Sequence, residues 1–305
     1  MSGSRATPSE RPVTGLLFVD KPAGISSHDV VSTVRRAART KRVGHAGTLD
    51  PFATGLLVLA VGVSTRLLPY VAGEPKVYDA VFQFGAETDT DDRTGTVVRN
   101  AQLPDPAMVL AATTALTGTF EQVPPAFSAK HVNGQRAYAV ARRGGVVALA
   151  PVMVTVHQWE MLEQHDTHIR VRITCAGGTY VRALARDLGR ALHSAAHCTD
   201  LRRQSSGRAD VVDAVHLDAL IPDSVFDGHI PLVSALTFLE PMARESVNDA
   251  ALAALSHGRS IPATQPGNRA ALLRDGGIVG IADRVVDPIV GDRWQPRIVL
   301  LGDRT

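Results

Sequence analysis

The sequence predicts an α+β protein in two unequal parts, a larger one over residues 14–240 and a smaller, β-rich one over residues 241–305. Three observations carry this expectation. The chain has 305 residues, more than one hydrophobic core usually organises. Before residue 240, helical and strand periodicities both occur. Beyond about residue 240 the texture changes to Gly and Pro punctuation with brief apolar runs.

The elements can be justified in order. Residues 1–13, MSGSRATPSERPV, are polar and lack an apolar h-region, so they read as a disordered leader and not as a signal peptide. Leu16–Val19 is a short apolar run closed by the turn-like DKPAG. In HDVVSTVRRAART, residues Val30, Val31, Val34 and Ala38 recur at helical spacing, with Ser27 as the expected N-cap. Leu56–Gly62 reads as a core strand. In Lys76–Gly85, Tyr78, Ala80, Phe82 and Phe84 share one face, with Asp79 and Gln83 on the other. Pro106–Leu116 reads as a helix closed by Gly118. Val152–Leu162 and His168–Cys175 read as paired strands, and Thr179–His193 as a helix entered through Gly177 and Gly178. Near the end, a helix over Asn248–Ser256 precedes the runs Ala270–Leu273, Ile278–Ile281 and Ile298–Leu301. A module of about 60 residues barely sustains its own core, so it is expected to lean on the larger part.

Composition excludes several classes. The 45% hydrophobic and 20% charged content is that of a soluble globular protein. The longest apolar run, Leu56–Val63, falls far short of the roughly 18 residues that span a bilayer. Cys175 and Cys198 form no CxxC pair and read as free buried thiols, which points to the cytoplasm. The net charge of +2 is too small to announce a nucleic-acid partner. Its distribution says more, because Arg35, Arg36, Arg39, Lys41 and Arg42 cluster with no acid between Asp29 and Asp50. That cluster is either a phosphate footprint or a solvated helix end. No phosphate loop, zinc helix or serine-nucleophile elbow is present, and the eleven histidines are scattered, so neither cofactor nor metal is expected.

Gly44–Gly55, GHAGTLDPFATG, packs three glycines and a proline into twelve residues and leads straight into a core strand. A loop so constrained holds its side chains in fixed directions, as a site requires. Its single carboxylate, Asp50, precedes Pro51, which disfavours the helical conformation at Asp50.

This segment resembles the catalytic motif of the TruB family of bacterial tRNA pseudouridine synthases. Further matches follow in the family's order: DKPAGISSHD (Asp20–Asp29), KVYDAVFQFGAETDTDD (Lys76–Asp92), FSAKHVNGQRAYAVARRG (Phe127–Gly144), GGTYVRALARDLG (Gly177–Gly189) and LRR (Leu201–Arg203). The resemblance is dense over residues 14–208 and loose beyond, where LSHGRSIP (Leu255–Pro262) is similar to part of a PUA-type RNA-binding domain. It implies a mixed, mainly antiparallel catalytic sheet with a small β-rich PUA-like domain after it. The implied substrate is uridine 55 in the T-loop of tRNA, with contacts to loop and stem, and the implied enzyme is a monomer.

Each matching position inherits an expected role. Asp50 resembles the nucleophile that adds covalently to the uridine. Tyr78 resembles the tyrosine that stacks on the target base and is a candidate for proton transfer. Arg182 resembles the arginine that keeps the aspartate ionised. His45 resembles the histidine that fills the gap when the target nucleotide leaves the stack. Leu201 resembles the residue that closes the pocket, Lys21 is expected to support the catalytic loop, and Tyr180 and Lys130 are expected to contact substrate. Arg190, and Arg186 with it, are expected to be solvent-facing. Lys130, His131, Arg136, Arg142 and Arg143 are expected to clasp RNA phosphates. Intact Asp50, Tyr78 and Arg182 weigh against a purely RNA-binding role.

Overall fold

A computed structural model describes residues 13–71, 73–127, 149–289 and 291–300, together with the backbone of residues 131–132 and 135–136. Strands β1 (Gly15–Lys21), β2 (Val43–His45), β3 (Thr54–Val61) and β4 (Lys76–Phe84) come first, then the short β5 (Ala86–Thr88) and β6 (Val97–Asn100). There follow β7 (Gly118–Gln122), β8 (His131–Val132), β9 (Gln135–Arg136), β10 (Val152–Gln164), β11 (His168–Cys175), β12 (Ala196–Ser206), β13 (Ala209–Asp210) and β14 (Val215–His216). The C-terminal stretch supplies β15 (Ala243–Ser246), β16 (Ile261–Pro262), β17 (Arg269–Arg274), β18 (Gly277–Asp287) and β19 (Gly291–Val299). The α-helices are α1 (Ser27–Ala37), α2 (Val109–Ala115), α3 (Val181–Ala191) and α4 (Asp249–Ser256).

Among the described residues, ten strands make one mixed sheet in the order β14-β1-β3-β12-β4-β11-β10-β7, with β2 on β3 and β13 on β12. Within this sheet, among the described residues, only the β1–β14 and β3–β12 pairings are parallel. The expected pairing of the two long strands holds, since β10 and β11 run antiparallel. Both faces of β1 and β3 are covered. Leu17, Val19, Leu57 and Leu59 pack with Val30, Val31 and Val34 of α1 and Leu184 and Leu188 of α3. Leu16, Phe18, Leu56 and Val58 pack on the other side with Leu239 and with Ala271 and Ile281 of a second, five-stranded sheet, β15-β17-β18-β19-β16. Two-sided burial is why Leu56–Val61 reads as an unbroken apolar run and not as an alternation. Each fully buried leucine there contributes roughly 1.5–3 kcal/mol.

The helix starts differ from expectation in instructive ways. Ser26, not Ser27, caps α1: its side chain accepts from the Asp29 amide, and the Asp29 carboxylate accepts in return from the Ser26 amide, a reciprocal capping box. α3 begins at Val181, two residues later than Thr179, because Tyr180 is extended. Tyr180 instead exchanges two bonds with the Gln122 side chain, its amide donating at 2.9 Å and its carbonyl accepting at 3.2 Å. The expected helix over residues 106–116 is a 3₁₀ turn, Pro106–Met108, running into α2. Among the described residues no helix is long and apolar enough to cross a membrane.

Candidate active site

The loop between β2 and β3 is held from beneath by two buried side chains. The Lys21 ammonium donates to three carbonyls, those of Pro22 (2.8 Å), Ile25 (2.9 Å) and Pro51 (3.3 Å). Burial pushes its pKa down to about 8, with the nearby Asp50 charge opposing. Ser27 is buried with its hydroxyl donating to the Leu49 carbonyl and accepting from the Leu49 amide. These bonds flank Asp50 on both sides, and the Ala53 amide closes a turn on its carbonyl at 3.1 Å.

Above the loop, α3 presents Arg182, whose side chain is only 4% exposed. Its Nε meets Asp50 Oδ2 at 2.8 Å and its Nη2 meets Oδ1 at 3.1 Å, a two-armed fork that fixes the orientation of the carboxyl group. The remaining donors are also committed. Nη1 reaches the Thr90 carbonyl at 2.7 Å and Asp92 at 3.2 Å, and Nη2 reaches the Phe127 carbonyl at 3.0 Å. The Asp50 side chain keeps 34% exposure, so an oriented carboxyl group remains open to a reacting partner.

Opposite lies one face of the sheet. Arg203 of β12 stands in register between Gly55 of β3 and Tyr78 of β4, and Leu201 stands opposite Ala80. Arg203 is fully buried, donating to the carbonyls of Leu56 (2.7 Å) and Gly47 (3.2 Å). Burial raises the pKa of Tyr78, which keeps the phenol protonated, while the adjacent Arg203 works against that rise. Asp50, Tyr78, Tyr180, Arg182, Leu201 and Arg203 line a cavity of about 290 Å³ together with Lys76. A second cavity, about 570 Å³, shares Asp50 and Arg182 but is lined by His28, His45, Phe52 and Phe127. Burial lowers the His45 pKa, which leaves the ring neutral, and its buried Nδ1 has no hydrogen-bond partner among the described residues.

The structure therefore gathers Asp50, Tyr78, Tyr180, Arg182 and Leu201 at one cavity, places His45 on the far side of Asp50, and sets Lys21 under the loop. Lys130, Arg142 and Arg143 lie outside the described residues, as do the side chains of His131 and Arg136. One expectation needs correction. Arg186 is buried, bonded to Asp91 at 2.8 Å and to the Val123 carbonyl at 2.8 Å. Arg190 is solvent-facing as expected, with 57% of its side chain exposed, and is also tied to Glu87 by both arms, at 3.0 and 2.8 Å. Arg39, counted in the basic cluster, is engaged by Asp223 and stacks 4.6 Å above Phe226, so it is not a free phosphate partner. Arg203, Lys76 and Asp92 were missed. For Arg203 a signal existed, since it follows Leu201 by two positions on a strand and so shares its face. Among the described residues no three His, Cys, Asp or Glu side chains group as a metal site.

The family description "TruB family pseudouridylate synthase (N terminal domain)" matches residues 35–181. The tRNA pseudouridine synthase B of Thermobifida fusca is 44% identical over 279 residues, covering 88% of this chain and 94% of that protein. Its counterpart in Leifsonia xyli is 42% identical over 286 residues, covering 88% and 92%. Among solved structures, a Cbf5-Nop10-Gar1 complex aligns with a TM-score of 0.67 at 21% identity, over 94% of this chain and 85% of that one. That likeness shows the pseudouridine synthase fold, with the second sheet in the place of a PUA-like domain. With identities of this size over almost the full length of its relatives, the chain belongs to the TruB family of pseudouridylate synthases and is an isomerase.

Proposed function

We propose that the enzyme converts uridine 55 in the T-loop of tRNA to pseudouridine, acting as a cytoplasmic monomer with no cofactor and no metal. The choice of tRNA is supported by the name its relatives share, tRNA pseudouridine synthase B. The observation that carries the chemistry is the Arg182 fork on a half-open Asp50 at the rim of a cavity walled by Tyr78.

In this reading Asp50 adds covalently to the uridine, the N1–C1′ bond breaks, and the freed uracil turns within the cavity. A C5–C1′ bond then forms, the proton on C5 is lost, N1 takes up a proton and Asp50 is released, so that atoms balance as an isomerisation. Tyr78 stacks on the base and, as a protonated phenol, is placed to take part in proton transfer. Leu201 and Tyr180 close the pocket around the base, and Lys21 keeps the loop in place. The target nucleotide must leave its stack to reach Asp50, at a cost of a few kcal/mol. A neutral His45, filling the vacancy, recovers part of that cost by stacking. Lys130 and its basic neighbours would hold the RNA backbone, and residues 241–305 would add contacts outside the T-loop as a separate RNA-binding unit.

Mapping pseudouridine in tRNA incubated with the purified protein tests the proposal. The expected result is one new pseudouridine, in the T-loop, and none with Asp50→Asn, while tRNA binding stays within about tenfold because phosphate contacts dominate affinity. Modification at another site would overturn the substrate assignment. Turnover near wild type in Asp50→Asn would remove that residue from the nucleophile role.

A further inference from the structure

The arginine that grips Asp50 is itself set against three groups, the Thr90 carbonyl, the Asp92 carboxylate and the Phe127 carbonyl. One helical turn further along α3, Arg186 braces the chain beside each of them. Its Nη1 bonds Asp91, the neighbour of Asp92, and its Nη2 bonds the carbonyl of Val123, four residues before Phe127. Both Asp91 and Arg186 are buried, at 7% and 8% exposure. Neighbouring residues of an extended chain point to opposite sides. Asp91 escapes that rule with a φ of +59°, a left-handed conformation that only a few non-glycine residues adopt. As a result the consecutive carboxylates of Asp91 and Asp92 both face α3. A strained backbone next to an active-site partner marks a place where geometry is being enforced.

We propose that Asp91 and Arg186 are positioning residues for the isomerisation, fixing the segments that hold Asp92 and Phe127 and so keeping the Arg182 fork on Asp50. The inference rests on Asp50 as the nucleophile. The groups that face Asp91 are Arg186, Arg182, Arg190 and Asp187, all from α3, with Asp92 beside it in its own segment. Burial lifts Asp91 to about 6 despite those arginines. Below that pH its carboxyl becomes neutral and the charged hold on Arg186 is lost.

The test is the single-turnover isomerisation rate on tRNA across pH, for wild type and for Asp91→Asn, with tRNA affinity and Tm measured alongside. Asp91→Asn is expected to be slower at neutral pH by about tenfold, within what small misplacements of reacting groups cost. Its tRNA affinity should be unchanged. The wild-type rate should fall as pH drops through about 6, and the variant should lack that limb. Arg190→Met removes an arginine of the same helix while Glu87 keeps Arg99, and should retain the wild-type rate. An Asp91→Asn rate equal to wild type at neutral pH, or the same limb in both proteins, overturns the proposal. If Asp91→Asn does not fold, Arg186→Lys replaces it, keeping the charge but not the two-armed reach. A wild-type rate there overturns the proposal, and about tenfold loss at unchanged Tm supports it. A wild-type profile flat through that pH overturns it whatever the variants do. Asp50→Asn is run in parallel: turnover in it sinks the nucleophile reading, whereas a dead Asp50→Asn beside a fully active Asp91→Asn sinks only the positioning role.

Discussion

Arg203 and Gly55 are register partners in the parallel pairing of β12 with β3, and a side chain on Gly55 would overlap the Arg203 backbone. Gly55 also has a φ of +98°, where any other residue is strained. The glycine that ends the Asp50 loop is thus a packing requirement of the strand beside it. Gly55→Ala should cost about 1–3 kcal/mol of stability from steric overlap and backbone strain. It should also slow catalysis, because Arg203 touches both the loop, at Gly47, and the Tyr78 wall. Denaturant unfolding and turnover check this, and an unchanged unfolding midpoint would show that the two strands can part without consequence.

Arg182→Lys preserves the charge beside Asp50 but not the two parallel bonds, and it strands the acceptors Asp92, Thr90 and Phe127. We expect kcat to fall by roughly a hundredfold or more, the range seen when a preorganised donor is removed from a reacting site. KM should change little, since Arg182 is buried. Retention of most of the wild-type kcat would mean that charge alone suffices and that the fork geometry is incidental.

His45→Ala tests the insertion role. The loss in kcat/KM should be about 1–3 kcal/mol on folded tRNA, because extrusion loses its stacking compensation. On a short RNA whose uridine is already unstacked the loss should shrink. Equal losses on both RNAs would mean that His45 supports the loop and does not enter the stack.

Lys21→Met should leave the Pro22 and Ile25 carbonyls without their donor, at a cost of about 1–3 kcal/mol each before relaxation, while the Pro51 carbonyl keeps the Gly24 amide. The pH dependence has a definite sign. The folded-state pKa of about 8 lies below the ordinary 10.5, so between those values the unfolded chain binds more protons and wild-type stability rises with pH. Below about 8 the cost of holding the ammonium is present in full. Comparing the unfolding free energies of wild type and Lys21→Met across this window reads the effect; parallel curves would show that Lys21 keeps its solution pKa.

What the sequence revealed follows the range of each interaction. The alternation in Lys76–Phe84 placed Tyr78 on the right face, and the constrained GTLDP loop singled out Asp50, because both signals are local. Ser27 was misread as the cap because adjacent serines fit equally well until Asp29, three residues from Ser26, decides between them. The fates of Arg39, Arg186 and Arg190 could not be read from periodicity. Their partners Asp223, Asp91 and Glu87 lie far along the chain, and a basic stripe looks the same facing water or facing acids. Arg203 hid for a related reason, since a buried arginine in a core strand is recognised by the carbonyls it satisfies, those of Leu56 and Gly47.

The covering of β3 by the second sheet has a consequence for synthesis on the ribosome. The strand that follows the Asp50 loop shields its rear against Ala271 and Ile281, residues made long after it. Until they emerge, Leu56, Val58 and Ala60 form a bare apolar face on the growing chain, a surface prone to association. The nascent polypeptide can form the front of its sheet early, but the strand behind the Asp50 loop is sealed only when translation is nearly done.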